Sequence, residues 1–310
     1  MPDTEEKTIA VIGLGLMGAA LAGRLLEQGY ATTVWNRTRQ KAEPLLAQGA
    51  AWSDHPLRTC RRALISLYDT PAVEQVLEQM GDDLRPGQIL LDTTTGEPAR
   101  SAALGAKLAR RGIHYFDTPI SGSSEQTRRG QVTVLVGGDE QLWHDCRDLL
   151  ACLAEKVFYV GPCGSAAKMK LVSNLVLGLN RAALAEELAF AEAIELDPKA
   201  AFEVLWTSPA YSRVMDAKGP KMLSGDFRPQ ARLSQHLKDL RLIVDLARAS
   251  GITLPLSETH RQLLEQCERA GYGDADNSAI IRAFDRQPGA AFLQPARGPR
   301  PAAAGDSFDE

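Results

Sequence analysis

Four apolar residues, Ile9-Ala10-Val11-Ile12, run directly into Gly13-Leu14-Gly15-Leu16-Met17-Gly18, and an alanine- and leucine-rich helical pattern from Ala19 to Glu27 follows. Strand, glycine-rich turn and helix in that order constrain the fold more than anything else in the chain. The first glycine permits the tight turn, the second lets backbone approach an anion, and the third lets the helix pack on the strand. Free N–H groups at the helix start then face whatever the loop holds, and the ligand suited to such a site is the pyrophosphate of a dinucleotide. Gly13, Leu14, Gly15, Leu16, Met17 and Gly18 are therefore the first candidate cofactor contacts.

The rhythm continues. Ala31 to Trp35 reads as a second strand and Arg39 to Gln48 as a second helix. Further strands are expected at Ala63 to Leu67, Gln88 to Leu91, His114 to Phe116, Thr133 to Val136 and Val157 to Val160, with helices around Pro71 to Met80 and Pro98 to Arg111. Such βα alternation predicts an α/β Rossmann domain, and strands without clean polar alternation predict a parallel sheet covered on both faces. After Gly164 the strand signal stops. A long helical pattern runs from about Ala166 to Glu195, apolar on more than one face, and reads as a helix joining two bodies. Shorter patterns follow at Lys199 to Thr207, Leu233 to Ser250 and Leu256 to Ala270, punctuated by Ser208-Pro209 and Gly219-Pro220. The expected organisation is a dinucleotide-binding domain over 1–163, an all-helical substrate and oligomerisation domain over 164–286, and a Pro-, Gly- and Ala-rich disordered tail over 287–310.

Dinucleotide sites for NAD carry an acid about 20 residues past the glycines, where it binds the ribose hydroxyls. Here Val34-Trp35 leads instead into Asn36-Arg37-Thr38. An acid would repel a 2′-phosphate, whereas Arg37 can pair with it and Asn36 and Thr38 can hydrogen-bond it, so the expected cofactor is NADP(H).

Composition narrows the function classes. With 44% hydrophobic and 24% charged residues and a formal net charge of -4, the chain lacks the basic footprint of a nucleic-acid binder, and a small anionic ligand must be caught locally. The five cysteines include no C-x-x-C pair, so neither a disulfide framework nor a zinc site is expected. The acidic start Met1 to Lys7 is unlike a basic export signal, and the longest apolar segment, Leu171 to Ile194, contains Asn174, Asn180, Arg181, Glu186 and Glu187. No membrane span and a cytoplasmic location are expected.

Three more segments carry a resemblance. Asp92-Thr93-Thr94-Thr95-Gly96-Glu97-Pro98 is similar to a D-x-S-T segment, and Asp117-Thr118-Pro119-Ile120-Ser121-Gly122-Ser123 to a D-A-P-V-S-G substrate loop. Gly161 to Asn174 is similar to a G-x-G-x-x-x-K-x-x-x-N helix. Together, over nearly the whole chain to about Ala283, they resemble the β-hydroxyacid dehydrogenase family, nearest its glyoxylate/succinic semialdehyde reductases. The resemblance implies that Ser121, Gly122 and Ser123 cradle a substrate carboxylate, a task that hydroxyl and main-chain N–H groups suit. It implies a catalytic lysine. Of the two candidates, Lys168 and Lys170 lie on opposed helix faces, and only Lys170 shares its face with Asn174, four residues on. Gln235-His236-Leu237-Lys238-Asp239-Leu240 resembles a late K-D-L motif, so that Lys238 and Thr95 approach both substrate and cofactor and Leu67 lines the cofactor site. Two positions depart from the family pattern: Ala166 stands for a glycine, and Ala231 for a phenylalanine, which opens the pocket.

The implied reaction is reduction of a small aldehydic or 2-oxo acid by NADPH, with Lys170 as proton donor, oriented by Asn174, and its pKa depressed by Lys238 and by burial. An imine reductase, in which another residue replaces the lysine, and a non-catalytic NADP(H)-binding scaffold are the alternatives. A homodimer or homotetramer is the expected assembly.

Overall fold

In the computed structural model, which describes residues 7–285, the first half of the chain builds one nine-stranded sheet. β1 (Thr8–Ile12), β2 (Ala31–Trp35), β3 (Ala51–Trp52), β4 (Arg62–Ile65), β5 (Ile89–Asp92) and β6 (His114–Asp117) are parallel, in the order β3-β2-β1-β4-β5-β6. Their crossovers carry α1 (Leu16–Glu27), α2 (Glu43–Leu46), α3 (Thr70–Gln79) and α4 (Pro98–Ala109). Successive strand residues face opposite ways. Ile9 and Val11 join Leu64, Leu91 and Phe116 in the core on one side, while Ala10 and Ile12 join Ala63, Ile65 and Leu90 on the other. Helices cover both, which is why the strands read as unbroken apolar runs. The chain's progress across the sheet reverses at β1, flanked by β2 and β4, and the crevice this opens at the strands' carboxyl ends receives the glycine loop.

The far edge departs from the parallel expectation. β8 (Thr133–Gly137) runs antiparallel to β6 and to the two-residue β7 (Ile120–Ser121), and β9 (Lys156–Gly161) then pairs parallel to β8. A parallel return needs a long crossover. Residues 118–132 hold only β7 and the five-residue helix α5 (Ser124–Arg128), so the chain turns straight back; α6 (Arg147–Leu153) leads to β9. The expected helix from Arg39 to Gln48 is a 3₁₀ turn over Arg39–Ala42 followed by one turn of α2, because Pro44, which has no N–H, suits only a helix start.

α7 (Ser165–Ala193) leaves the sheet domain and is the axle of the helical half, with α8 (Pro198–Trp206), α9 (Val214–Ser224), α10 (Leu233–Ala249) and α11 (Pro255–Cys267) around it. Leu171, Leu184 and Leu188 of α7 meet Phe202, Met215, Leu237, Leu240 and Leu264 in a separate core. α9 was missed because Gly219-Pro220 reads as a break. The helix instead continues through Pro220: Val214, Met215 and Met222 are buried, and Gly219 lies so close to the Phe202 ring that a Cβ would collide with it. Packing outweighs the proline's lost hydrogen bond here. Among the described residues no helix is long and apolar enough to cross a membrane. The tail expected over 287–310 lies outside the described residues.

Candidate active site

The glycines of the loop have different jobs. Gly13, at φ +94°, donates its N–H to Trp35 O at 2.9 Å, and a Cβ there would collide with Ser66 O; a Cβ on Gly18 would collide with Gly13 O. Those two are required by the fold. Around a Cβ on Gly15, by contrast, no protein atom lies within 4 Å. Gly15 caps α1, whose first turn has neither a side-chain cap nor an acid, so the N–H groups of Leu16, Met17 and Gly18 are offered without a helical acceptor. The Met17 side chain points inward, where Sδ accepts from Thr127 Oγ1 at 3.1 Å, leaving its backbone for a ligand. A cavity of about 420 Å³ adjoins this turn, lined in part by Leu14, Gly15, Leu16, Lys41 and Arg128. The residues fit a dinucleotide pyrophosphate. Gly15→Ala is expected to leave Tm unchanged and weaken cofactor binding by about threefold to tenfold, the cost of a methyl in an otherwise filled site; dye-monitored melting and fluorescence titration separate the two readouts.

Asn36 is an organiser. Its Oδ1 accepts from Leu14 N and its Nδ2 donates to Thr38 O, both at 2.9 Å, so the amide expected to touch the 2′-phosphate is spent on the loop. Arg37 and Thr38 are exposed beyond β2, and among the described residues no carboxylate pairs with Arg37. Lys41, on the same rim, was overlooked because a lysine in a polar stretch carries no signal of its own. Leu67 is held by its N–H to Thr94 Oγ1 (3.0 Å), and Thr94 N in turn donates to Asp92 Oδ1 (2.9 Å). Tyr115 Oη donates to the other oxygen of Asp92 at 2.6 Å. Burial pushes this carboxylate up to about 6 against those hydrogen bonds.

Ser121 ends β7 and Gly122 follows it, but Ser123 belongs to the helix as the N-cap of α5. Its Oγ accepts from Gln126 N and its N–H donates to Gln126 Oε1 at 2.8 Å, a capping box, so the Ser123 N–H expected in the carboxylate cradle is engaged by the helix, whereas Ser121 and Gly122 lie outside α5. Gln126, three residues on, was the sign of the cap.

Asp117, at the end of β6, accepts from Gly164 N at 2.8 Å and from Ala167 N at 2.7 Å and so caps α7 from a distant strand. Sequence reading placed Asp117 only as the first letter of the substrate loop. Ala166 is fully buried without strain, because Gly137 opposite has no side chain; a Cβ there would lie 3.0 Å from Ala166 N. Asp117→Asn forfeits one acceptor and turns a donor toward an N–H. The expected cost is about 1–3 kcal/mol of stability, read from urea unfolding.

One turn further along α7, Lys168 is exposed and Lys170 is 7% exposed. Asn174 Nδ2 donates to Asp239 Oδ2 at 2.9 Å, and Lys238 Nζ lies 2.9 Å from Asp239 Oδ1. Lys238 also donates to Thr95 O (2.6 Å) and Tyr68 O (2.9 Å), spanning from α10 to the loops after β4 and β5. Among the described residues the Lys170 ammonium has no hydrogen-bond or ion-pair partner. Burial pulls it down to about 8, the Asp239 carboxylate opposes that, and Lys238 adds to it. Asp239 is thus the node joining Lys238 and Asn174. A buried carboxylate among Leu233, Leu237, Leu240 and Val244 on the apolar side of α10 was the available signal.

Ala231 is half-buried and donates its N–H to Asp276 Oδ2 at 3.2 Å.

Two family models match nearly end to end: the NAD binding domain of 6-phosphogluconate dehydrogenase over residues 8–161, and the NAD-binding domain of NADP-dependent 3-hydroxyisobutyrate dehydrogenase over 164–284. Glyoxylate/succinic semialdehyde reductase 1 of Arabidopsis thaliana is 28% identical over 90% of this chain and 99% of its own length. Human cytokine-like nuclear factor N-PAC is 30% identical over 90% of this chain, which spans about half (52%) of that longer protein. The structure of a 3-hydroxyisobutyrate dehydrogenase from Salmonella typhimurium superposes with a TM-score of 0.82 at 26% identity, over 89% of this chain and 99% of that one. The Rossmann sheet and the helical second half agree with these matches, and the chain belongs to the β-hydroxyacid dehydrogenase family.

Proposed function

We propose that the protein is an NADP(H)-dependent oxidoreductase that reduces small aldehydic or 2-oxo acids, of the glyoxylate and semialdehyde type, to hydroxy acids. The observation that carries this reading is Lys170: a buried, unpartnered ammonium beside Asn174, Asp239 and Lys238, on a helix anchored to the strand that leads into Ser121 and Gly122. The reduced nicotinamide supplies a hydride to the carbonyl carbon when bound. Ser121 Oγ and the Gly122 N–H hold the substrate carboxylate and so orient the carbonyl toward Lys170. The Lys170 ammonium donates a proton to the carbonyl oxygen, becoming a neutral amine that takes a proton back from solvent; in the oxidative direction the amine accepts the hydroxyl proton. Asn174, fixed by Asp239, keeps Oδ1 available to orient Lys170 or the substrate. Arg37, Thr38 and Lys41 favour the 2′-phosphate.

Single-turnover mixing with NADPH and a panel of short carbonyl acids, including glyoxylate and succinic semialdehyde, tests the reading. Oxidation of NADPH by at least one carbonyl acid is expected. Binding without oxidation by any of them points to a scaffold, and turnover confined to cyclic imines points to an imine reductase. Self-association is part of the same proposal: Met169, Val172, Val176 and Phe190 of α7, with Val204 and Trp206 of α8, leave apolar surface exposed that a second copy would cover, and sedimentation measures it. A cytoplasmic location goes with these properties.

A further inference from the structure

The face of α7 that carries Lys170 and Asn174 continues inward to Gly178 and Arg181, at helical spacings of four, eight and eleven residues. Gly178 is where two histidines from other helices press on α7. A Cβ there would lie 2.5 Å from His236 Nε2 of α10 and 2.6 Å from His260 Cε1 of α11, and the two rings are 5.3 Å apart. One turn on, Arg181 is 1% exposed and is the largest of the fully buried side chains.

Two of the three guanidinium nitrogens have no hydrogen-bond acceptor among the described residues. Arg181 Nε and Nη2 are buried and unpartnered, and so are His236 Nε2, both ring nitrogens of His260, Ser278 Oγ and Asn277 Oδ1. A native core leaves few such groups, and each requires an account. The nearby charges do not cancel. Lys218 Nζ is paired with Asp276 at 2.8 Å, and that carboxylate also accepts from the N–H groups of Gln230, Ala231 and Ser278. Two cations therefore share one carboxylate whose lone pairs are already engaged. Both histidines are held neutral, by burial first and by the Arg181 charge, so the cluster keeps one uncompensated positive charge. Water alone would satisfy donors but would leave that charge in place.

We propose that Arg181, His236, His260 and Ser278 bind a small monovalent inorganic anion of the chloride class inside the helical domain, separate from the lysine site. The Nε and Nη2 edge of Arg181 presents two donors, the unpartnered Ser278 hydroxyl and imidazole N–H groups are the further donors available to the anion, and a water would serve the acceptor Asn277 Oδ1. The anion binds the folded domain only, so it stabilises the protein by mass action. The proposal is independent of the reaction assigned above.

The full chain is melted at constant pH and ionic strength while bromide replaces gluconate, which is too bulky for a closed site. Tm is expected to rise by about 2–4 °C per tenfold in bromide above its dissociation constant. Crystals grown in bromide are expected to show an anomalous peak beside the Arg181 guanidinium. Arg181→Met is expected to abolish both responses, and if that variant fails to fold, the peak in the unaltered protein decides alone. A Tm indifferent to bromide, with only water beside Arg181 and no anomalous signal, overturns the proposal.

Discussion

Replacing Lys170 with methionine is expected to lower kcat by about 10²–10⁴-fold, the range for loss of a positioned proton donor, with the dissociation constant for NADPH changed by less than about twofold. The expectation rests on where the ammonium sits. It is buried, shares no hydrogen bond with the chain, and is held down to about 8 chiefly by burial. A group with that pKa donates readily at neutral pH and loses its proton as the pH climbs. For carbonyl reduction, which uses the ammonium, kcat/KM is expected to fall above about pH 8; for alcohol oxidation, which uses the free amine, it is expected to rise through the same region. Both limbs should vanish in the methionine variant. Because the change removes a buried charge and keeps the chain's bulk, Tm should hold or increase. A variant with full turnover and an unchanged pH profile would sink the assigned role.

The second large effect concerns cofactor choice. Arg37→Asp removes the cation expected at the 2′-phosphate and puts an anion in its place. A charged hydrogen bond contributes about 1.5–3 kcal/mol, so NADPH affinity should fall by roughly tenfold to a hundredfold. Arg37 is exposed, and solvent screening favours the lower part of that range. NADH, lacking the phosphate, should lose far less, so the ratio of the two dissociation constants is the informative measurement. An unaltered ratio would return Arg37 to the status of a solvated surface charge.

How much of this was legible in the sequence depended on whether a residue's task was local. The six residues of the glycine loop announced strand, turn and helix because each glycine answers a constraint within a few residues of itself. Lys170 could be preferred to Lys168 because helical periodicity alone separates them. Residues whose partners come from far along the chain were harder to place. Asp117 meets Gly164 and Ala167 across some fifty residues, and Asp239 meets Asn174 across sixty-five. Their importance follows from tertiary geometry that no short window contains. Ser123 and Asn36 went the other way: each looked available to a ligand, and each proved committed to a neighbouring amide. The sheet's antiparallel edge and α9 were obscured for a related reason, since connection length and helix packing overrode local pattern at β8 and Pro220.

The carboxylate of Asp117 also decides how the halves of the molecule can move. It pins the first turn of α7 to the end of β6, so a rocking of the helical half that keeps these two hydrogen bonds would pivot near Gly164 and Ala167. Lys170 stands only three residues beyond Ala167, about 4.5 Å along the axis, and is almost at the fulcrum. Lys238, on a different helix, sits on the swinging arm, and its grip on Tyr68 O and Thr95 O is what such a swing would make or break. Lys170, the proton donor proposed above, would thus keep its station relative to the sheet through any such swing, while Lys238 would be the clasp that it breaks.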